Sequence, residues 1–158
     1  MPQPQQEKLL KSIINGRTVI VGVGNVLRGD DGFGPALVAR LAGETHALCI
    51  DAGTTPENYL GTIVQARPDT ILIVDAVHLG SPPGQYEILS TSDLLNTGFA
   101  THDIAPRLFV EYLERETEAR IYMLAVQPQH LDFGAEMSAG VKATLDVLST
   151  FLIAEAPK

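Results

Sequence analysis

Carboxylates stand at the ends of several short apolar runs in this chain, and a histidine joins them. The tract Gly22-Val23-Gly24-Asn25-Val26-Leu27-Arg28-Gly29-Asp30-Asp31-Gly32-Phe33-Gly34 carries two adjacent acids. Asp51 follows Leu48-Cys49-Ile50, Asp75 follows Thr70-Ile71-Leu72-Ile73-Val74, and Thr101-His102-Asp103 precedes a helical stretch. Acids and an imidazole gathered at one rim suit a borderline divalent metal such as nickel, zinc or manganese. They suit acid–base catalysis by a carboxylate pair equally well. Each residue also has a plainer role open to it. Asp31 fits a helix N-cap, Asp75 and Asp51 fit turns at strand ends, and His102 fits a solvent-facing loop.

Other chemistries fit poorly. In a dinucleotide-binding fingerprint the third glycine would fall at Leu27, where a side chain crowds helix–strand packing. Asp30 and Asp31 also lie at or near the helix N-terminus that a pyrophosphate would occupy, so that helix end is expected to stabilise the carboxylates instead. No Gly-Lys-Ser/Thr and no Gly-x-Ser-x-Gly occurs. Cys49, the only cysteine, sits in mid-strand among apolar neighbours, a poor setting for a nucleophile. His46, His78 and His130 are weaker candidates than His102, with His78 near the rim but read as a bystander.

The elements that must position these groups alternate. Thr18–Val23 is a β-branched, uncharged run, as expected of a strand buried on both faces. Phe33, Leu37, Val38 and Leu41 recur on one helix face. A strand at Leu48–Ile50 precedes a helix over Pro56–Arg67, with Thr55 as its N-cap. After the strand at Thr70–Val74, Ser81-Pro82-Pro83-Gly84 makes a turn. Tyr86–Leu89 follows too closely for a parallel crossover, so it is predicted antiparallel or at an edge. A helix from near Asp103 to Glu118, a strand at Ile121–Ala125 and a closing helix with Met137, Val141, Leu145, Leu148 and Leu152 on one stripe complete the chain. The expected fold is α/β: a three-layer α/β/α sandwich on a mainly parallel twisted sheet of about five strands, one of them antiparallel. Residues 17–158 form its single domain, and residues 1–16 an N-terminal extension with a short helix around Lys8–Ile14.

Composition narrows the class. The 158 residues hold 19 Asp and Glu against 11 Lys and Arg, a formal charge of −8, and 45% are hydrophobic. That is one domain's length, too apolar for a disordered chain. The acidic balance disfavours nucleic acid. A single cysteine suits a reducing compartment, hence the cytoplasm, and no apolar run is long enough to span a bilayer.

Gly22-Val23-Gly24-Asn25 followed by Gly29-Asp30-Asp31-Gly32-Phe33-Gly34-Pro35 strongly resembles the first motif of the hydrogenase maturation endopeptidases. These enzymes remove a C-terminal extension from the large subunit of nickel–iron hydrogenases. Asp51-Ala52-Gly53-Thr54, then Leu72-Ile73-Val74-Asp75-Ala76-Val77 with Pro83-Gly84, then Thr101-His102 agree in the same order, so the match runs over about residues 18–152. Asp30-Asp31, Thr55-Pro56-Glu57-Asn58, Pro106 and Val126-Gln127-Pro128 are most similar to the peptidases serving formate-hydrogenlyase-type complexes. Ala52-Gly53 departs from the Gly-Gly of many relatives.

The resemblance implies an aspartyl-type endopeptidase whose nickel belongs to the substrate, with no organic cofactor. Carried over by position, the nickel-contacting residues are Asp31, Asp75 and His102, and Asp31 or Asp75 is the favoured base. The implied partner is a nickel-loaded large-subunit precursor. No nucleic acid and no membrane insertion are expected, and the chain is expected to act as a monomer. Two other readings remain: an accessory module that holds nickel without hydrolysis, and a nucleotide- or small-molecule-binding α/β enzyme.

Overall fold

The computed structural model describes residues 3–96 and 105–158. Apolar β-branched runs become strands and amphipathic runs become helices. In chain order these are α1 (Pro4–Ile13), β1 (Thr18–Val23), α2 (Phe33–Leu41), β2 (Leu48–Gly53), α3 (Leu60–Gln65), β3 (Thr70–Ala76), β4 (Tyr86–Ser90), α4 (Thr91–Asn96), α5 (Ala105–Glu116), β5 (Arg120–Val126) and α6 (Ala139–Glu155). A 3-10 turn at Gly29–Gly32 leads into α2. The strands form one sheet in the order β2-β1-β3-β5-β4. All pairs are parallel except β4 with β5. The α/β sandwich and its single antiparallel strand therefore stand as expected. Among the described residues no helix is long and apolar enough to cross a membrane.

Alternation along the strands divides the core in two. Ile20, Leu72, Leu124 and Val74 face α1, α2 and α6, packing with Leu10, Leu37, Val141 and Leu148. Val21, Ile73, Met123 and Ile71 face the other way, onto Ile63 of α3 and Phe109 and Leu113 of α5. Both faces of β1 and of β3 up to Val74 are thus dry, as their uncharged runs require.

Three local expectations change. The helix expected over Pro56–Arg67 splits into a 3-10 turn at Pro56–Tyr59 and a short α3, with Gly61 weakening its first turn. Thr55 does stand at the N-cap, of the 3-10 turn, but its side chain makes no bond to the turn's backbone: its hydroxyl accepts a bond from the Asn58 side chain at 3.2 Å. The N-cap of α2 is Gly32, without a side-chain bond, so neither acid of the pair caps that helix.

The N-terminal segment closes an open sheet edge. Strand β4 lies at the end of the sheet, with backbone groups that would otherwise template another strand. The amides of Tyr86 and Ile88 donate to the side-chain oxygens of Gln3 (3.0 Å) and Gln6 (2.9 Å), and the Gln3 side chain donates to the Tyr86 carbonyl at 2.7 Å. Leu10 and Ile13 of α1 are buried in the core, and the Thr70 hydroxyl donates to the Ile13 carbonyl at 3.1 Å.

Two devices seat α2 against the carboxyl ends of the strands. One is a glycine contact. A Cβ on Gly34 would stand 2.5 Å from the carbonyl oxygens of both Val23 and Val74, and one on Gly22 would stand 2.4 Å from the Gly34 carbonyl. Only hydrogen fits there, so the helix start rests directly on β1 and β3. The other is Asp30, which has no solvent exposure. Its carboxylate accepts the amides of Gln129 (2.7 Å), His130 (2.9 Å) and Ser138 (2.7 Å), and the Ser138 hydroxyl as well. Its own amide donates to the His130 carbonyl at 2.8 Å. The turn before α2 is thereby tied to the connection between β5 and α6.

Gly34→Ala is expected to destabilise the fold by roughly 2 kcal/mol, since no backbone shift relieves both contacts at once; urea denaturation measures it. Asp30→Asn is expected to cost roughly 3 kcal/mol at neutral pH, because the amide presents donors to donors. Burial raises the Asp30 carboxyl, but the bonds from His130, Ser138 and Gln129 outweigh it and hold the group below its ordinary value of 3.8. A depressed carboxyl contributes its full stability above the unfolded value and loses it as pH falls through the folded one. The gap in unfolding free energy between wild type and Asp30→Asn should accordingly be constant near neutrality and shrink below about pH 4.

Candidate active site

The strand order places a topological switch at β1, whose neighbours β2 and β3 are reached by crossovers in opposite directions. In open α/β sheets the crevice at such a point, outside the carboxyl ends of the strands, is where ligands bind. Strands β1 and β3 pair in parallel with Gly22 opposite Val74, so the chain after β1 and the end of β3 emerge side by side. Asp75 lies at that end of β3. Asp31 lies in the turn that leads into α2, and Gly34 of α2 packs over the Val23 and Val74 carbonyls. The two acids, 44 positions apart (75 − 31), thus reach one rim.

Asp31 is half-buried, and its backbone presses on the first strand's exit: a Cβ on Gly24 would stand 1.8 Å from the Asp31 carbonyl oxygen. Gly24 is also at φ 142°, a conformation that a side chain would strain. The Asp31 Oδ2 accepts the Asn25 amide at 2.8 Å. Its Oδ1 makes no hydrogen bond among the described residues. Asp75 is half-buried, and its Oδ1 accepts the amide of Ala76 at 2.8 Å. The N-cap role open to Asp31 is therefore not the one it has.

His102 lies outside the described residues. Among the described residues no group of three or more His, Cys, Asp and Glu side chains is arranged to hold a metal ion. Asp51 is exposed and accepts the amide of Gly53 at 3.1 Å, the turn geometry its Asp-Ala-Gly-Thr context suggests. His46, His78 and His130 are exposed. His130 matters through its backbone, which meets Asp30 on both its donor and acceptor sides. Burial pushes the Cys49 thiol above its ordinary value, which keeps it protonated and disfavours it as a nucleophile.

Two features were missed in the sequence. One is the close-packing glycine, which is Gly34 and not a residue at position 27; its place three residues after Asp31, in the first turn of α2, was the available signal. The other is the split of the acid pair into a buried tie and a rim carboxylate. Beside the rim, Gly24, Asn25, Val26, Pro35, Asp51 and Gly53 line an open recess of about 260 Å³.

The profile of the hydrogenase maturation protease family matches residues 35–155. The hydrogenase 3 maturation protease of Escherichia coli K12 is 31% identical over 133 residues, covering 82% of this chain and 85% of its own. The crystal structure of a [NiFe] hydrogenase maturation protease, HycI, from Thermococcus kodakarensis KOD1 superposes with a TM-score of 0.86 at 30% identity, over 93% of this chain and 97% of that one. The solution structure of the endopeptidase HycI from E. coli gives a TM-score of 0.79 at 29% identity, over 88% and 90%. Fold and length agree, and the chain belongs to the hydrogenase maturation proteases, a family of peptidases.

Proposed function

We propose that this chain is the cytoplasmic endopeptidase that removes the C-terminal extension of a nickel–iron hydrogenase large-subunit precursor, acting as a monomer and using the client's nickel as its recognition element. The observation that carries this reading is the arrival of Asp31 and Asp75 at one rim, at the switch point of a sheet, in a chain of this protease family. Nickel is part of the substrate here. Asp31, Asp75 and His102 meet it with two oxygen donors and an imidazole, ligands weaker for nickel than the client's thiolates. Weak contact is what an inspection step needs, because the peptidase must leave without the metal.

The same carboxylates supply the base. Asp31 Oδ1 has no bond among the described residues to compete for a water proton. In hydrolysis, Asp31 or Asp75 takes a proton from water as its oxygen attacks the scissile carbonyl. The amide C–N bond then breaks, and the proton passes to the departing amine. Nickel in the client polarises the carbonyl or the water when it is present.

The test uses the large-subunit precursor from the same organism, loaded with nickel or left empty. Wild-type protein should shorten only the loaded precursor, by the mass of its tail. Asp31→Asn, Asp75→Asn and His102→Ala should each abolish processing, by a factor on the order of a hundred or more, with unchanged thermal midpoints. Asp51→Asn should cut at close to the wild-type rate. Normal cleavage by all three site variants sinks the assignment, and absence of any tail loss with wild type points to a nickel-holding module instead.

A further inference from the structure

The loop after β1 and the connection between β5 and α6 are joined backbone to backbone. Besides the Asp30 bonds, the Gly134 amide donates to the Leu27 carbonyl at 2.8 Å and Arg28 Nε donates to the Leu131 carbonyl at 3.3 Å. A Cβ on Gly29 would stand 2.5 Å from the His130 carbonyl oxygen. With their polar backbones turned toward each other, these loops present apolar side chains to water. Val26 is 64% exposed, Leu27 57% and Phe133 75%. The other large apolar residues exposed in the described chain, Leu9, Leu48, Leu108 and Val147, are scattered singly over α1, β2, α5 and α6. Isolated exposure of that kind is ordinary, whereas three such residues on one fixed platform mark a contact surface.

We infer that Val26, Leu27 and Phe133 form an apolar shelf that receives apolar side chains of the precursor polypeptide next to its cleavage site, fixing how that segment lies along the rim. This rests on the proposed peptidase reading. Continuity with the acids names the occupant. Asn25, the residue before the shelf, donates its amide to Asp31, and Gly32, the residue after Asp31, lies under Val26, with a Cβ there 3.1 Å from the Val26 Cα. An extended chain advances about 3.3 Å per residue, so Val26 lies within the reach of a few residues of a polypeptide whose scissile bond sits at Asp31. Val26 also lines the recess of about 260 Å³ beside Pro35 and Asn25, a volume that takes one or two side chains of an extended segment and no folded element. The shelf thus supplies affinity by burying apolar surface, while the acids act on the bond.

The experiment measures processing rate against concentration of the nickel-loaded precursor for wild type, for Leu27→Ser with Phe133→Ser combined, and for Val147→Ser as an exposed apolar control. The double variant should raise the half-saturating concentration about tenfold or more, with most of the saturated rate kept and the thermal midpoint unchanged. Phe133→Leu should recover much of the loss. An unchanged half-saturation overturns the shelf, as does an equal effect in Val147→Ser. So does a change of oligomeric state in the double variant without loss of precursor affinity, which would make the patch a contact between copies. Asp31→Asn, run alongside, separates the two readings. If it retains precursor binding but not cleavage while the shelf variants behave as wild type, only the shelf falls. If wild type leaves the tail in place, both fall together.

Discussion

The carboxylate of Asp30 is the constraint on which the rim depends. The connection from Val126 to Ala139 is longer than the usual two to six or so residues between elements and has no regular structure of its own. Its amides at Gln129, His130 and Ser138 have no ladder or helix to join, and an unpaired buried amide is costly. One buried carboxylate accepts all three and the Ser138 hydroxyl besides. An apolar residue at position 30 would leave those donors stranded, and a neutral amide would reverse half of the pairing. The charge is tolerated inside because each oxygen is saturated with donors, which also holds the group ionised.

The neighbouring acid is identical in chemistry and opposite in use. In a 3-10 turn successive residues point about 120° apart, so two adjacent side chains cannot both face the interior. Asp30 turns inward to the loop, and Asp31 turns to the sheet rim, where the Asn25 amide holds one of its oxygens. Tying one acid in place therefore aims the other. Gly24 and Gly34 complete the arrangement by letting the Asp31 backbone and the helix start approach the strands more closely than any side chain allows. The glycines of this tract serve backbone contact within the protein, and no phosphate is needed to explain them.

Much of this was legible in the sequence, for definable reasons. The central runs of β1, β3 and β5 are buried on both faces and so have sequences with no polar phase to misread. The shortness of its connection makes Tyr86–Leu89 antiparallel or an edge strand, and β4 is both. That Asp31 and Asp75 share one rim was not legible from spacing, because it depends on β1 and β3 being neighbours; the expectation came from the resemblance. Division of labour between Asp30 and Asp31 was hidden because local sequence carries no record of which distant amides need an acceptor. The role of α1 was hidden for a related reason: Gln3 and Gln6 look like solvated glutamines until the β4 edge is known to lie beside them.

The acidic balance takes on a second meaning beside that architecture. A rim that keeps Val26, Leu27 and Phe133 in water invites self-association, since apolar patches attract one another without regard to partner. The formal charge of −8 opposes that encounter at every orientation, because like-charged copies repel before short-range apolar contact begins. Screening limits this repulsion to about 10 Å at 0.1 M salt, so it acts on approach and adds little once surfaces touch. On the function proposed above, a client that puts a Lewis-acidic metal within reach of the two rim carboxylates gains a coordination contact beside the patch, which a second copy of this chain does not offer. Charge of one sign thus discourages copies of the same chain from covering the patch, whereas the proposed client adds a metal contact that such copies lack.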